Sequence, residues 1–136
     1  MPPSQSHARL EALREGLLAL HKTLLAIARA EYESAHGPVG GPGALLHLLI
    51  NDPAFAWLHP VSELAARADE LLEEDELPDV EATALERTAA ELLVPDENGA
   101  GFARKYFEAL QAEPDVVMAH AELRKLLRKY EPKPSA

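Results

Sequence analysis

The sequence predicts an all-α protein, a single compact bundle of five or six helices with a long N-terminal helix. Apolar residues make up 47% of the chain but aromatic residues only 5%, and a core of alanine and leucine favours packed helices over a sandwich or barrel. Apolar residues recur at helical spacing, and no segment alternates with the period of two that is typical of a strand. The breaks between these segments are short and rich in glycine or proline, so we treat residues 1–136 as one domain.

The N-terminal helix is the clearest element of the sequence. We predict it from about Ser6 to His36, roughly 45 Å at 1.5 Å per residue. Its apolar residues alternate spacings of three and four, which predicts one buried stripe: Leu10, Leu13, Leu17, Leu20, Leu24 and Ile27. Because this stripe is long and wide, we expect it to extend beyond its partners within the chain and to be available to a second protein.

Prolines and acidic caps mark the later helices. After the glycine- and proline-rich residues 37–43 and a short apolar helix, Asp52 is expected to cap a third helix. Pro60 must kink or split that helix, because proline has no N–H and crowds the preceding turn. Asp79 is expected to cap the fourth helix, and Pro114 to open the sixth. The ends of the chain, 1–5 and 131–136, should be frayed.

The acidic residues are concentrated in one segment. The formal net charge is −10, and residues 63–97 contain thirteen acidic residues against two arginines, a net of −11 that leaves +1 for the rest. Such a surface would repel a phosphate backbone, so we expect no nucleic-acid partner. The simplest interpretation of the acidic segment is solubility.

The composition also bears on location. The chain has no cysteine, which removes disulfides, thiolate zinc sites and thiol nucleophiles and is compatible with a reducing compartment. The N-terminal residues resemble no signal peptide, and the apolar runs are too short to span a membrane. We therefore expect a cytoplasmic protein with no membrane partner.

Two histidines lie on apolar helix faces. His21 is on the shoulder of the leucine stripe, and His120 lies in the stripe of the last helix. A histidine in such a place is most often a core residue that makes one hydrogen bond. The alternative is haem or metal ligation by both residues, if their helices are neighbours.

A second group of unusual residues surrounds the turn at Asn51-Asp52-Pro53. His47 and His59 flank this turn, and Trp57, the only tryptophan, is close to it in sequence. Turns between helices form small pockets, although a buried aromatic residue usually serves packing. The candidate ligand-binding residues are therefore His21, His47, Trp57, His59 and His120. For Trp57 we expect a partly buried ring at the margin of the core, with its N–H on a carbonyl or water.

The remaining motifs indicate neither a metal site nor catalysis. Glu33 and His36 have the Glu-x-x-His spacing of di-iron bundles, which need two such motifs and two further glutamates. Only one copy is present, and Arg29 lies where it would pair with Glu33. We expect no metal, no cofactor and no catalytic residues, because phosphate-loop and nucleophile-elbow motifs are also absent.

The middle segment, from His36 through Leu45-Leu-His-Leu-Leu-Ile-Asn-Asp-Pro-Ala-Phe-Ala-Trp-Leu58, resembles a family of short, uncharacterised bacterial α-helical proteins. That resemblance implies a bacterial protein and no particular activity. From the residues themselves we expect a non-enzymatic helical protein-interaction or regulatory module that binds another protein or a second copy of itself. The alternative is a ligand-, metal- or haem-binding bundle that uses its core histidines.

Overall fold

The computed structural model describes residues 5–130, and it confirms the all-α prediction. Within these residues there are six α-helices, two short 3-10 helices and no strand. In chain order they are α1 (Gln5–His36), α2 (Pro42–Asn51), η1 (Pro53–Leu58), α3 (His59–Leu72), α4 (Asp79–Leu92), α5 (Phe102–Ala112), α6 (Pro114–Leu127) and η2 (Arg128–Tyr130). The fraying expected for 1–5 and 131–136 lies outside the described residues, except that Gln5 begins α1.

Helix α1 is the centre of the bundle, with α3, α4, α6 and η1 packed around it. The five leucines of its stripe, from Leu10 to Leu24, are at most 1% exposed. After Leu24 the buried position is Ala28 and not Ile27, because a straight helix drifts away from a strict seven-residue repeat. The expectation that this stripe is available to a second protein is wrong, since three other helices of the same chain enclose it.

The helix starts depend on local chemistry in two contrasting ways. The Asp52 carboxylate accepts a hydrogen bond of 2.8 Å from the Ala54 N–H, which confirms the predicted cap of η1. Pro60 splits the segment as expected, because η1 ends at Leu58 and Pro60 lies in the first turn of α3. The cap predicted at Asp79 is wrong. Asp79 is the first residue of α4 and caps no backbone N–H, since its carboxylate pairs with an arginine of α1.

One buried carboxylate holds the start of α1 against α4 and the end of the described chain. Glu86 of α4 is 3% exposed and forms an ion pair with Arg9 of α1. The Tyr130 hydroxyl donates to Glu86 Oε1 at 2.9 Å, and Lys129 Nζ lies 3.9 Å from the same oxygen. A buried charge needs such partners, because an isolated carboxylate away from water is costly.

Within residues 5–130, no helix combines the length and the apolar character that crossing a membrane would require.

Candidate functional site

Two of the candidate histidines meet where α1, the end of α2 and the start of α3 come together. His21 Nε2 lies 2.9 Å from the Ser62 hydroxyl of α3, and His59 Nε2 lies 2.9 Å from the Leu49 carbonyl of α2. Burial, and secondarily the neighbouring His59, lowers the pKa of His21 below its ordinary value of 6.5. His21 is therefore neutral at pH 7 and has one hydrogen-bond partner, as expected for a core histidine. His59 fastens the end of α2 to α3.

Trp57 lies beside this junction, at the margin of the core. Its side chain is partly buried and packs against the core, as predicted, and its ring centroid is 6.4 Å from that of Phe102 in α5. Of the two partners predicted for its N–H, a carbonyl or water, the carbonyl is absent among residues 5–130. The indole Nε1 is buried and has no acceptor among residues 5–130, because the ring is held by aromatic and aliphatic neighbours. The ring therefore contributes mainly packing area.

His120, in α6, contacts a tyrosine of α5 that stacks on Phe102, the aromatic neighbour of Trp57. The imidazole Nδ1 lies 2.5 Å from the hydroxyl of Tyr106, a fully buried residue of α5. Burial raises the pKa of Tyr106 well above its ordinary value, so the phenol keeps its proton. His120 also lines an apolar groove of about 310 Å³ between the end of α4 and α6.

Helices α1 and α6 are neighbours, which was the condition for joint metal ligation by His21 and His120. His21 contacts α3 and His120 contacts α5, so the joint ligation considered from the sequence has no support in these contacts. In the part of the chain from 5 to 130, no group of three or more His, Asp or Glu residues is arranged to hold a metal ion. Glu33 pairs with Arg29 at 3.4 Å, as the spacing predicted, and accepts a hydrogen bond from the Val39 N–H.

The outer face of α2 is the most unusual surface of the protein. None of the ten residues of α2 is buried. Its inner leucines pack partly against the core, whereas Leu46 and Ile50, one turn apart, are 56% and 61% exposed. His47 lies exposed between them and contacts Asn51 with its imidazole Nδ1. We call Leu46, His47 and Ile50 the α2 face.

Sequence reasoning missed the α2 face, although a signal for it was present. Residues 45–50 are apolar except for His47, so apolar side chains surround the whole short helix. A helix that is apolar on all sides is normally buried on all sides, whereas α2 has the core on one side only. The surrounding sequence is also almost without charge. From Ser34 to Ser62 the only charged residue is Asp52, if histidine is counted as neutral.

No protein-family model, curated protein or solved structure matches this chain.

Proposed function

We propose that this protein is a non-enzymatic protein-interaction module that self-associates through the α2 face. The observation that carries the proposal is an apolar helix without a single buried residue. Water contact with large aliphatic side chains is unfavourable by about 25 cal/mol per Å², and contiguous exposed apolar patches on soluble proteins are commonly interaction sites. We also propose a cytoplasmic, bacterial setting, supported by the absence of cysteine and by the resemblance of the middle segment.

Charge supports a second copy as the partner. Two molecules of formal charge −10 repel each other over most of their surfaces. The segment from Ser34 to Ser62, which contains the α2 face, has only Asp52 as a charged residue. Contact between two α2 faces therefore buries apolar side chains while keeping the acidic α3–α4 segments apart. A basic partner would find no carboxylate on the α2 face to pair with.

The geometry of such a pair follows from symmetry. A two-fold axis places the same surface patch of each copy against that of the other, so every contact occurs twice. Antiparallel packing of two α2 helices places Leu46 of one copy against Ile50 of the other. The pairing stays closed, because α2 is a single short helix and offers no second apolar face for a third copy.

Sedimentation velocity between about 5 and 500 μM tests the proposal. We expect a dimer that forms in the micromolar range and becomes tighter from 50 to 500 mM NaCl, since salt screens the repulsion between acidic copies. The variant Leu46→Glu/Ile50→Glu should be monomeric with an unchanged helical circular dichroism spectrum. The control Val80→Glu/Val117→Glu adds the same charge at two exposed valines elsewhere and should leave the dimer intact.

A wild-type monomer at 500 μM would refute the self-association, and so would equal weakening by the two double variants. The second result would show that net charge, and not the α2 face, controls the assembly.

The groove beside His120 favours a second candidate function, the binding of a small apolar ligand. Its volume of about 310 Å³ is at the lower end of ligand pockets. Leu93, Leu123 and Leu127 supply apolar lining, and Arg124 supplies a cationic group. Octanoate binding can be monitored by the imidazole NMR signals of His120. These signals should shift at millimolar octanoate or below. Unchanged signals at 10 mM would remove this candidate.

A further inference from the structure

A second surface with a definite chemical character lies between α3 and α4. These two helices pack against each other and are joined by the short segment 73–78, so they form a helical hairpin. A groove of about 460 Å³ follows the hairpin. Four leucines form its apolar floor: Leu64, Leu71, Leu85 and Leu92.

The walls of this groove contain more negative than positive charge. Glu63 and Glu81 line it, together with Arg67. Arg67 already pairs with Glu70 at 3.0 Å, so its charge is largely compensated. The two glutamates therefore determine the electrostatic character of the groove.

Glu81 has an unsatisfied atom in this place. Its Oε2 is buried and has no hydrogen-bond donor among residues 5–130. A buried carboxylate oxygen without a donor is unfavourable. Because this atom is out of reach of solvent, a cation of a partner would interact with the Glu81 carboxylate by charge attraction across the groove wall. The groove thus combines an apolar floor with carboxylates in its walls that attract a cation.

We propose that the α3–α4 groove binds a basic amphipathic helix of a partner protein. The leucine floor takes the apolar face of that helix, and Glu63 and Glu81 take lysine or arginine residues on its flanks. Grooves between two helices commonly bind a third helix in this way, and α3, with 14 residues, offers about 21 Å of length for the contact.

The charge of the surrounding segment favours this partner over others. Residues 63–97 have a net charge of −11, which attracts a basic helix over long range and repels nucleic acids and anionic membranes. A small polycation satisfies the carboxylates but leaves the leucine floor exposed to water. The site is separate from the α2 face and does not depend on self-association.

Fluorescence anisotropy with a labelled 15-residue helical peptide of lysine and leucine, at 150 mM NaCl, tests the proposal. We expect micromolar binding, and no binding of the peptide in which glutamate replaces every lysine. Glu81→Gln should weaken binding about tenfold, as expected for the loss of one close charge attraction. The matched control Glu76→Gln removes the same charge at an exposed position of the connecting segment and should change binding less than twofold.

Two further measurements test the apolar half of the site. Ala84 is exposed and lines the groove, so Ala84→Trp should fill it and weaken the lysine–leucine peptide at least tenfold without loss of helix content. Spermine, added at ten times the concentration of positive charge that the peptide carries, should displace little of the bound peptide. Equal effects of Glu81→Gln and Glu76→Gln, full displacement by spermine, or unchanged binding to Ala84→Trp would each overturn the proposal. The Leu46→Glu/Ile50→Glu variant should bind the peptide normally, so failure of self-association and failure of this site are distinguishable.

Discussion

Replacement of the buried Glu86 by alanine is the most direct test of how the bundle is held at the N-terminal end of α1. In the wild-type protein Glu86 is 3% exposed, pairs with Arg9 and accepts the 2.9 Å hydrogen bond from Tyr130. Glu86→Ala removes the acceptor while both donors remain. It also leaves the Arg9 guanidinium with Asp79 as its other carboxylate partner.

The magnitude follows from the exposure of the two partners. Breaking a buried ion pair from one side costs about 3–5 kcal/mol. The Arg9 side chain is 29% exposed and keeps Asp79, so the lower end of that range applies. We therefore expect Glu86→Ala to lower the free energy of unfolding by about 3 kcal/mol, or the melting temperature by about 10 °C for a domain of this size. Glu86→Gln keeps an acceptor for Tyr130 and should cost about 1–2 kcal/mol.

Urea unfolding followed by circular dichroism measures these differences, with Glu122→Ala as the control. Glu122 pairs with Lys125 at 3.0 Å, but both side chains are at least 66% exposed, so its loss should change the free energy by about 0.5 kcal/mol or less. A double-mutant cycle of Glu86→Ala with Tyr130→Phe should show a coupling of about 1 kcal/mol. Equal effects of Glu86→Ala and Glu122→Ala would refute the reasoning, since burial would then make no difference.

Three other predictions concern α1 and the margin of the core. Gly16→Ala should lower the free energy of unfolding in urea by about 1 kcal/mol net of the helix propensity that alanine gains, because its Cβ would lie 2.6 Å from Leu123 Cδ2 and 3.2 Å from Leu123 Cγ. Gly43→Ala has nothing within 4 Å and should raise the free energy of unfolding by up to about 1 kcal/mol. Equal effects of the two changes would contradict the close contact of α1 with α6. Trp57→Ala should cost roughly 2–4 kcal/mol, and wild-type emission should lie to the blue of free tryptophan; emission like free tryptophan, with no loss of stability in the variant, would indicate an exposed ring. Burial lowers the pKa of His21, so the unfolded chain takes up the proton first as the pH falls. The contribution of neutral His21 to stability is therefore complete above pH 6.5, the ordinary pKa of histidine, and is lost as the pH falls below that value. His21→Gln should make the melting temperature depend less on pH between 7.5 and 5. An unchanged pH dependence of the melting temperature would argue against this role.

The candidate site shows how far sequence reasoning reaches in a helical protein. The position of His21 on the shoulder of the leucine stripe correctly indicated a histidine with one hydrogen bond. Its partner, Ser62, is 41 residues away and could not be identified, because a helical pattern shows which face of a helix is buried but not which helix covers it. The same reason explains why His21 and His120 could be considered joint ligands from the sequence, although their contacts are on different helices.

Elements that depend on neighbouring residues were determined by the sequence alone. The helical class, the length of α1, the cap at Asp52 and the division before Pro60 follow from periodicity, side-chain capping and the missing N–H of proline, which act within a few residues. Asp79 is the exception, since an arginine 70 residues away binds its carboxylate and removes it from the local competition for backbone donors.

Only the tertiary structure decided which of the apolar helix faces are buried and which are exposed to solvent. The leucine stripe of α1 was recognised, yet three other helices of the chain enclose it. The apolar helix α2 is exposed on its outer face, whereas the charged Glu86 is buried. Burial is a property of the whole arrangement, because it depends on how many elements compete to cover each face. Among residues 5–130, no helix lies over the α2 face, where Leu46 and Ile50 remain exposed.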